Sequence, residues 1–577
     1  MTHPMPNVPA HLRRFVVEQD YAEYNAMDQA VWRFVLLQTH ARLLETAHPA
    51  YKDGLSATGI SVERIPSIAE MNEKLARFGW GAVCVDGFIP PRAFQEFQAA
   101  GLLPIAADIR TRGHLVYTPA PDIIHEAAGH APILPDPVFS SYVRRMGDLG
   151  RKAFTLPEEG RVYDAIYALS ELKEDPSVTG EQLRGAEEAL RVALESVPEA
   201  SEATKLSRLY WWTAEYGLVG RVDDYKLYGA GLLSSLWESH SCHAPEVRKL
   251  PLDESCLDVA YDITRPQPQL FVTRDFEALH ELLSRVEASL AATRGGERSL
   301  VLARASGELA SIEFDSGAWA LGVLRAFGPE PAAPAWLELD GPVAFAWQGR
   351  IAPVFAELPR AERQVVLTGP LLGQGALSEL SQSALDGLRP ASSARHEFRF
   401  ASGAVASGRL ERSGHSAEGR LTHVELADAQ LSLPGRPPLE LPRYVLLAAG
   451  NVRAAQAGAI DGDYHPDTAF SRVKVPKARR LPEREHALLA LYERAGRAHT
   501  AGASALGAEF PEVAARLGSE YPDEWLLRWN LLESLLKVGD SGPLARKLWA
   551  ELEQLEAKFD RREPIASGLS YLSRPAA

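Results

Sequence analysis

The segment YTPAPDIIHEAAGHAPILPDPVF, Tyr117 to Phe139, is the most informative part of the chain, because it carries His125 and His130 beside an acid and between prolines. Residues five apart lie about 140° apart around a regular α-helix, whereas the HExxH spacing of zinc proteases separates its histidines by about 40°. If both histidines bind one ion, the backbone must depart from a regular helix between them. Residues that favour such a departure are Pro119, Pro121, Gly129 and Pro132. Alternatively, one histidine makes a local hydrogen bond and the other is exposed.

A metal site would need a third ligand, and Glu215 is the candidate. It is the only acid in RLYWWTAEYGLV, Arg208 to Val219, a run that is otherwise largely aromatic and apolar. A carboxylate buried there without a partner would cost several kcal/mol, which a cation would offset. The alternative partner is an arginine such as Arg221. Two imidazoles and one carboxylate leave adjacent coordination positions open, as in non-haem Fe(II) oxygenases.

Several motifs, in one order along residues 10 to 275, resemble the signatures of the pterin-dependent aromatic amino acid hydroxylases, most closely the branch that acts on phenylalanine. The motifs are Tyr21, Tyr24 and VWRF (Val31 to Phe34), VDGFIPPRAF, IRTRGHLVYTP, PDIIHEAAGH with the following PxLxDPxF, YWWTAEYGL, and YGAGLLSS (Tyr228 to Ser235). Agreement of many motifs in order is far more specific than any one motif.

The resemblance implies a role for each matching residue. It makes His125, His130 and Glu215 the iron ligands, and Glu126 and Tyr210 catalytic groups beside the metal. The implied pterin-binding residues are Gly87, Phe88, Ile89, Phe94 and Glu126. The implied substrate-binding residues are Arg110, Thr118, Pro121, Trp211, Tyr216, Ser234, Ser235 and Ile263. Arg110 would bind the substrate carboxylate, for which a planar guanidinium is well suited.

The implied cofactors are Fe(II) and tetrahydrobiopterin or a related tetrahydropterin, and the implied reaction is hydroxylation of L-phenylalanine to L-tyrosine with O2. Ile263 lies where tyrosine hydroxylases carry an acid, which favours phenylalanine. The alternatives are a tryptophan or tyrosine hydroxylase of the same family, a zinc hydrolase with Glu126 as base, and a noncatalytic metal-binding or scaffold protein.

Composition bounds the partners and the compartment. The 577 residues include 61 Lys and Arg against 76 Asp and Glu, a net charge of −15, which disfavours nucleic acid and anionic membrane as partners. Three cysteines cannot staple so long a chain, and no apolar stretch is long enough to span a bilayer. We therefore expect a cytoplasmic protein whose partners, as the resemblance implies, are a small aromatic amino acid and O2.

The periodicity of the chain predicts a multidomain protein. A mainly α catalytic domain is expected over 1–290, with helical periodicity in Gln29 to Ala47. Apolar and polar residues alternate from about Ser299, which predicts an antiparallel meander or small barrel within 291–475. A basic, proline-containing linker, Ser471 to Glu485, precedes a helical region over 476–577.

The chain departs from the family pattern between His130 and Glu215, where the spacing is longer. The Glu- and Ala-rich stretch at about 155–205 accounts for the difference and predicts one or two exposed helices on the surface. Pro104 also stands where animal members carry a histidine beside the pterin.

Overall fold

A computed structural model describes residues 7–87, 89–115, 122–174, 178–263, 266–356, 358, 361–391, 393–460, 462, 483–559 and 564–574. Among these residues, no helix combines the length and the apolar character needed to cross a bilayer.

The part of the chain that carries the motifs combines helices with six short strands, where the sequence predicts a mainly α domain. Its helices are α1 (Ala26–Thr46), α2 (Ala50–Ala57), α3 (Ile68–Leu75), α4 (Pro91–Ala99), α5 (Pro137–Gly150), α6 (Pro157–Glu174), α7 (Gly180–Glu195), α8 (Glu202–Tyr210), α9 (Ala230–Ser234), α10 (Glu238–Ser241), α11 (Phe276–Ser289), α12 (Ala291–Arg294) and α13 (Gly296–Ser306). Its strands are β1 (Gly81–Val85), β2 (Leu102–Ala106), β3 (Leu218–Arg221), β4 (Asp224–Leu227), β5 (Arg248–Pro251) and β6 (Gln269–Thr273).

Helix α1 lies in the middle of the core, and its predicted helical character is confirmed. Asn25 and Asp28 form a reciprocal capping box at its first turn, which satisfies backbone N–H groups that the helix leaves free. Trp32, Phe34 and Val35 are all fully buried, although they point in different directions around the axis. A helix that is apolar on most of its circumference needs neighbours on several sides.

Two small sheets position the loops of the site. Strands β1 and β2 are parallel and joined through α4. The carboxyl ends of parallel strands meet at one edge, so the Gly87 loop after β1 and Arg110 after β2 lie at the same edge. The second sheet has the order β4-β3-β6-β5.

The strand-rich region forms two antiparallel sheets, with the orders β10-β9-β8-β7-β15 and β11-β12-β13-β14. The second of these is the meander that the sequence predicts, while β15 returns to pair with β7. The elements are β7 (Leu309–Phe314), β8 (Ala318–Gly328), β9 (Trp336–Trp347), α14 (Pro353–Ala356), β10 (Ala361–Leu367), α15 (Gln382–Gly387), β11 (His396–Arg399), β12 (Val405–His415), β13 (Leu421–Ser432), β14 (Leu439–Leu447) and β15 (Val452–Ala457).

The prediction of strand structure from Ser299 is wrong for its first residues, which belong to helix α13. Leu300 and Ala303 are buried, and their spacing of three places them on one face of that helix. Gly307, with a φ of 63°, then ends the helix in the left-handed conformation that glycine adopts without strain. The strands begin only at Leu309.

The C-terminal helices are α16 (Glu483–Ala501), α17 (Ala503–Glu520), α18 (Leu526–Lys537), α19 (Pro543–Phe559) and α20 (Ile565–Tyr571). Their predicted helical character is confirmed, and they share one hydrophobic core with α1. Trp529 packs edge-on against Phe34 with ring centroids 4.7 Å apart, and Arg33 forms a buried ion pair with Glu533 at 2.6 Å. Most of the predicted linker lies outside the described residues.

Helices α6 and α7 pack against each other as a hairpin within the predicted insertion. Glu159 ties the base of this hairpin to the start of α8, because its carboxylate accepts hydrogen bonds from Thr204 Oγ1 at 2.6 Å and Ser201 N at 3.1 Å. The sequence predicts one or two exposed helices here. The outer faces of both helices are exposed, whereas their inner faces line a cleft that is also lined by His125 and Glu215, two of the three candidate metal ligands.

Candidate active site

His125, His130 and Glu215 lie together, with their ligand atoms within 4.8 Å of one another. His125 Nε2 is 3.2 Å from one oxygen of Glu215, and His130 Nε2 is 3.1 Å from the other. Two π-helical turns, Ile124–His130 and Trp211–Glu215, hold the three residues. A π-helix pairs residue i with i+5, so it brings histidines five apart onto one face. This is the departure from a regular helix that the spacing requires.

The triad has the geometry of a metal site. Ligand atoms about 2.1 Å from an ion lie about 3.0 Å apart at right angles and about 3.4 Å apart at tetrahedral angles. The two histidine-to-carboxylate separations, 3.2 and 3.1 Å, lie between these two values. His130 Nε2 is buried and makes no hydrogen bond to a described residue, which suits a nitrogen whose lone pair faces a cation. Arg221, the alternative partner of Glu215, pairs instead with Asp223 at 3.0 Å.

Helix α9 fixes the orientation of His125. The Ser234 hydroxyl donates to the carbonyl of Ala230 at 2.8 Å and lies 3.1 Å from His125 Nδ1. Because that hydroxyl proton is already used, Ser234 accepts from the Nδ1–H of His125, which leaves Nε2 free to bind a metal. Gly129 makes the close approach of α9 possible, since a Cβ at this position would lie 2.6 Å from the Ala230 oxygen.

Arg110 and Asp122 form a buried clamp next to the histidines. The Nε and Nη2 atoms of Arg110 donate to the two oxygens of Asp122, each at 2.8 Å, and the backbone N–H of Arg110 donates at 2.9 Å. Asp122 also accepts from the backbone N–H of His125 at 3.0 Å. Burial would raise the pKa of Asp122, but Arg110 holds it below its usual value. Among the described residues, Nη1 of Arg110 has no hydrogen-bond acceptor.

An open cleft of about 2670 Å³, the catalytic cleft, is lined by several of these groups. Six of its lining residues are Gly87, Phe94, Arg110, Glu126, Trp211 and Glu215. Small-molecule sites typically measure about 300 to 1,000 Å³, so the catalytic cleft exceeds one ordinary ligand site. The additional walls come from the α6–α7 hairpin and the strand-rich region, through residues such as Leu190 and Pro342. An ion pair of 2.6 Å between Glu308 and Arg92 ties the strand-rich region to α4.

Comparison with known proteins identifies the family. The model of biopterin-dependent aromatic amino acid hydroxylases matches residues 16–154 and 186–293. A phenylalanine-4-hydroxylase of Mesorhizobium japonicum is 30% identical over 291 residues, which cover 50% of this chain and 89% of the relative. The chain belongs to the biopterin-dependent aromatic amino acid hydroxylases. The gap in the match, 155–185, falls within the predicted insertion.

Two further proteins each match about half of this chain. A phenylalanine-4-hydroxylase of Ralstonia nicotianae is 30% identical over 46% of this chain and 72% of the relative. A crystal structure of Chromobacterium violaceum phenylalanine hydroxylase with bound iron(III) and oxidised 7,8-dihydrobiopterin is 26% identical, covers 48% of this chain and 85% of that one, and has a TM-score of 0.37. The predictions of an oxidoreductase of this family and of a pterin as its cofactor are confirmed, and the three residues predicted to bind the metal lie together.

The residues predicted from the sequence to bind the pterin line the catalytic cleft where the structure describes them. Gly87, Ile89 and Phe94 line the cleft, while Phe88 lies outside the described residues. Glu126 is buried, and its Oε2 atom has no hydrogen-bond partner among the described residues. Burial raises the pKa of Glu126 to about 8. Burial alone would also raise the pKa of Glu215, but His130 and His125 hold it far below its usual range.

On the side of the catalytic cleft that is predicted to bind the substrate, the amino acid side, three aromatic rings form a wall. Trp211 stacks on Tyr261 with centroids 4.2 Å apart and packs against Tyr216 at 4.7 Å. The Tyr216 hydroxyl donates to the buried carboxyl of Glu238 at 3.1 Å. Burial raises the pKa of Glu238 to about 7.

The remaining residues with a predicted role lie in the catalytic cleft, beside His130, or outside the described residues. Ser235 and Ile263 line the cleft, and the Ser235 hydroxyl accepts from the backbone N–H of Glu238. Thr118 and Pro121 lie outside the described residues. Tyr210 packs over His130 with centroids 6.4 Å apart, and its hydroxyl accepts from Gln98 Nε2 at 2.6 Å.

Sequence reasoning missed four residues of this site: Asp122, Gln98, Glu238 and Tyr261. Asp122 had a detectable signal, because an acid three residues before His125 has the spacing of a cap for the following turn. The other three lie far in sequence from the residues they contact, so they become neighbours only in the folded chain.

Proposed function

We propose that this hydroxylase converts L-phenylalanine to L-tyrosine with Fe(II), a tetrahydropterin and O2. The observation that carries the proposal is one cleft that is lined by His125 and Glu215 of the metal triad, by the Gly87 loop and by the buried Arg110. The three features provide, in turn, metal ligands, a pterin surface and a group for an amino acid carboxylate.

The triad residues fit iron as ligands. Two neutral imidazoles and a carboxylate on one side of an ion leave adjacent positions open for O2 and substrate, and bound Fe(II) with a pterin supplies the reduction of O2. Ser234 keeps His125 in the tautomer that presents Nε2. Asp122 accepts the backbone N–H of His125, so the first ligand is held on both its ring and its backbone.

The pterin would lie between the Gly87 loop and Glu126. Phe94 offers an aromatic face, and its ring is edge-on to Tyr210 at 5.9 Å. Glu126 Oε2 is buried and has no hydrogen-bond partner among the described residues, and burial raises the pKa of this carboxyl, so it is suited to a hydrogen bond with a polar heterocycle. Glu126 thereby orients the cofactor and handles protons near it.

The substrate would be held at its two ends. Arg110 presents Nη1 to the carboxylate while Asp122 fixes the rest of the guanidinium. Trp211 and Tyr216 contact the ring, and the apolar Ile263 disfavours a substrate that already carries a phenol. Holding both ends of the substrate would orient its ring toward the metal ligands.

We also propose that the chain consists of a catalytic domain over 1–290, a strand-rich domain over 291–475 and a helical region over 476–577. Because α16 to α20 share one core with α1, we regard the helical region as part of the catalytic unit.

The test is anaerobic loading with Fe(II), followed by O2 consumption and product analysis with a tetrahydropterin and each of phenylalanine, tyrosine and tryptophan. We expect one iron per chain and the highest kcat/KM for phenylalanine, with tyrosine as product. His125→Ala should lose iron and turnover, whereas the control His240→Ala, at an exposed histidine, should retain both. A higher kcat/KM for tryptophan would contradict the substrate, and full iron occupancy in His125→Ala would contradict the ligand set.

A further inference from the structure

Arg112 connects the amino acid side of the cleft to the C-terminal helices. It lies two residues after Arg110, in a single 3₁₀ turn, Arg112–His114. Arg110 and His114 line the catalytic cleft, whereas the guanidinium of Arg112 forms an ion pair with Glu524. Glu524 lies just before α18, more than 200 residues beyond the end of the family match.

Glu524 is a buried carboxylate in a defined environment. Its side chain is 2% exposed, and Oε1 accepts from the Tyr492 hydroxyl at 2.7 Å and from the backbone N–H of Leu527 at 3.2 Å. Its Oε2 faces Arg112 and accepts no hydrogen bond from the described residues. Nearby Arg528 donates to the backbone carbonyl of Glu524 and pairs with Glu551 instead. A buried carboxylate without a facing cation is strongly unfavourable, so Glu524 favours a fixed position for Arg112.

The segment between Arg110 and the buried Leu115 is short. The Asp122 clamp holds its first residue. Thr111 closes the turn, because its carbonyl accepts from His114 N at 2.9 Å and its hydroxyl lies 3.2 Å from His114 Nδ1. Contact with Glu524 therefore restrains the tip of a segment whose first residue presents Nη1 to the cleft.

We infer that Arg112 and Glu524 are positioning residues, through which the C-terminal helices hold the Arg110 segment in its substrate-binding conformation. The inference rests on the proposed function for its kinetic consequence, while the restraint of the segment can be measured without turnover. It assigns a role in amino acid binding to a helical region that the family model does not match.

The experiment compares wild type, Arg112→Ala, Arg112→Lys and Glu524→Gln as full-length, iron-loaded protein. Asp523→Asn is the matched control, because this neighbouring carboxylate pairs with Lys558 and both side chains are more than half exposed. Three quantities are measured: iron per chain, KM and kcat for phenylalanine, and hydrogen exchange of the backbone amides of residues 109–115. Arg112 is 42% exposed, so its substitution tests the contact without a change in the core.

We expect Arg112→Ala to raise KM about three- to tenfold, with a smaller change in kcat, normal iron and faster exchange in residues 109–115. Arg112→Lys should raise KM less than Arg112→Ala does. Glu524→Gln should resemble Arg112→Ala, and Asp523→Asn should match wild type. Unchanged exchange, unchanged KM, or loss of iron together with kcat in Arg112→Ala would overturn the inference. If wild type does not hydroxylate phenylalanine, the proposed function fails, and the exchange difference between Arg112→Ala and Asp523→Asn still decides whether the segment is restrained.

Discussion

Replacement of Arg110 by lysine tests the amino acid side of the cleft most directly. In wild type, Arg110 uses Nε and Nη2 for Asp122 and keeps Nη1 for the cleft. A lysine has one nitrogen and lacks the planar fork, so it cannot reach Asp122 and a substrate carboxylate in the same geometry. Asp122 is 2% exposed, and a buried carboxylate left unpaired costs about 3 to 5 kcal/mol. The new ammonium should therefore bind Asp122, and the substrate should lose its partner.

The magnitude follows from one lost charge-assisted hydrogen bond. Such a bond contributes about 1.5 to 3 kcal/mol, so kcat/KM for phenylalanine should fall roughly ten- to a hundredfold. Iron content should remain normal, because Asp122 keeps its bond to the backbone N–H of His125 and the triad is untouched.

The assay measures kcat/KM for phenylalanine and for 2-phenylethylamine, which lacks the carboxylate, together with iron per chain. The loss should appear with phenylalanine and be absent with the amine. Arg285→Lys serves as a control, because Arg285 pairs with Glu254 on the exposed surface. An equal loss with both compounds, or an unchanged kcat/KM for phenylalanine, would refute the assignment, and loss of iron would give Arg110 a structural role.

Three further predictions follow from other contacts of the cleft. Ser234→Ala removes the acceptor for the Nδ1–H of His125, so competition with a chelator should show iron affinity lower by about ten- to a hundredfold. Gly129→Ala places a methyl group 2.6 Å from the Ala230 carbonyl and should lower stability by about 1 to 3 kcal/mol, whereas Gly185→Ala, in open space on α7, should raise Tm slightly. Burial raises the pKa of Glu238 from 4.5 to about 7, so the folded chain favours the protonated carboxyl. The free energy of unfolding should therefore fall as pH rises from 4.5 through 7, because the buried carboxyl becomes charged. Glu238→Gln should therefore have the wild-type Tm at pH 4 and a higher Tm than wild type at pH 8, where its free energy of unfolding should be larger by about 3 kcal/mol. Equal Tm values at pH 8 would contradict this prediction.

The sequence alone predicts the triad, because each ligand lies in a motif of short range. The five-residue spacing of His125 and His130 requires a departure from a regular helix if they share one ion, and the π-helical turn meets that requirement. Glu215 stands out as a single acid in an apolar run. These signals are local in the chain, because each depends on residues within one or two turns of backbone.

Where the hydrophobic pattern along the chain leaves the secondary structure or the burial of a segment ambiguous, tertiary packing decides it. The residues from Ser299 to Ser306 alternate well enough to suggest a strand, yet burial of Leu300 and Ala303 on one face makes them a helix. The inner faces of α6 and α7 become walls of the cleft because of where the hairpin docks, and their charged composition indicates only that the outer faces meet water.

The family, the candidate metal ligands and the order of helical and strand-rich regions can be predicted from the sequence, because motifs and periodicity act over a few residues. The hydrogen-bond and ion-pair partners around the cleft come from tertiary packing: Asp122 on Arg110, Glu238 on Tyr216, and Glu524 on Arg112. The partners range from 12 to more than 400 residues apart in the chain. A buried charge needs an opposite charge or a hydrogen-bond partner from some element, but which element supplies it depends on how the helices pack, and periodicity along the chain does not encode that choice.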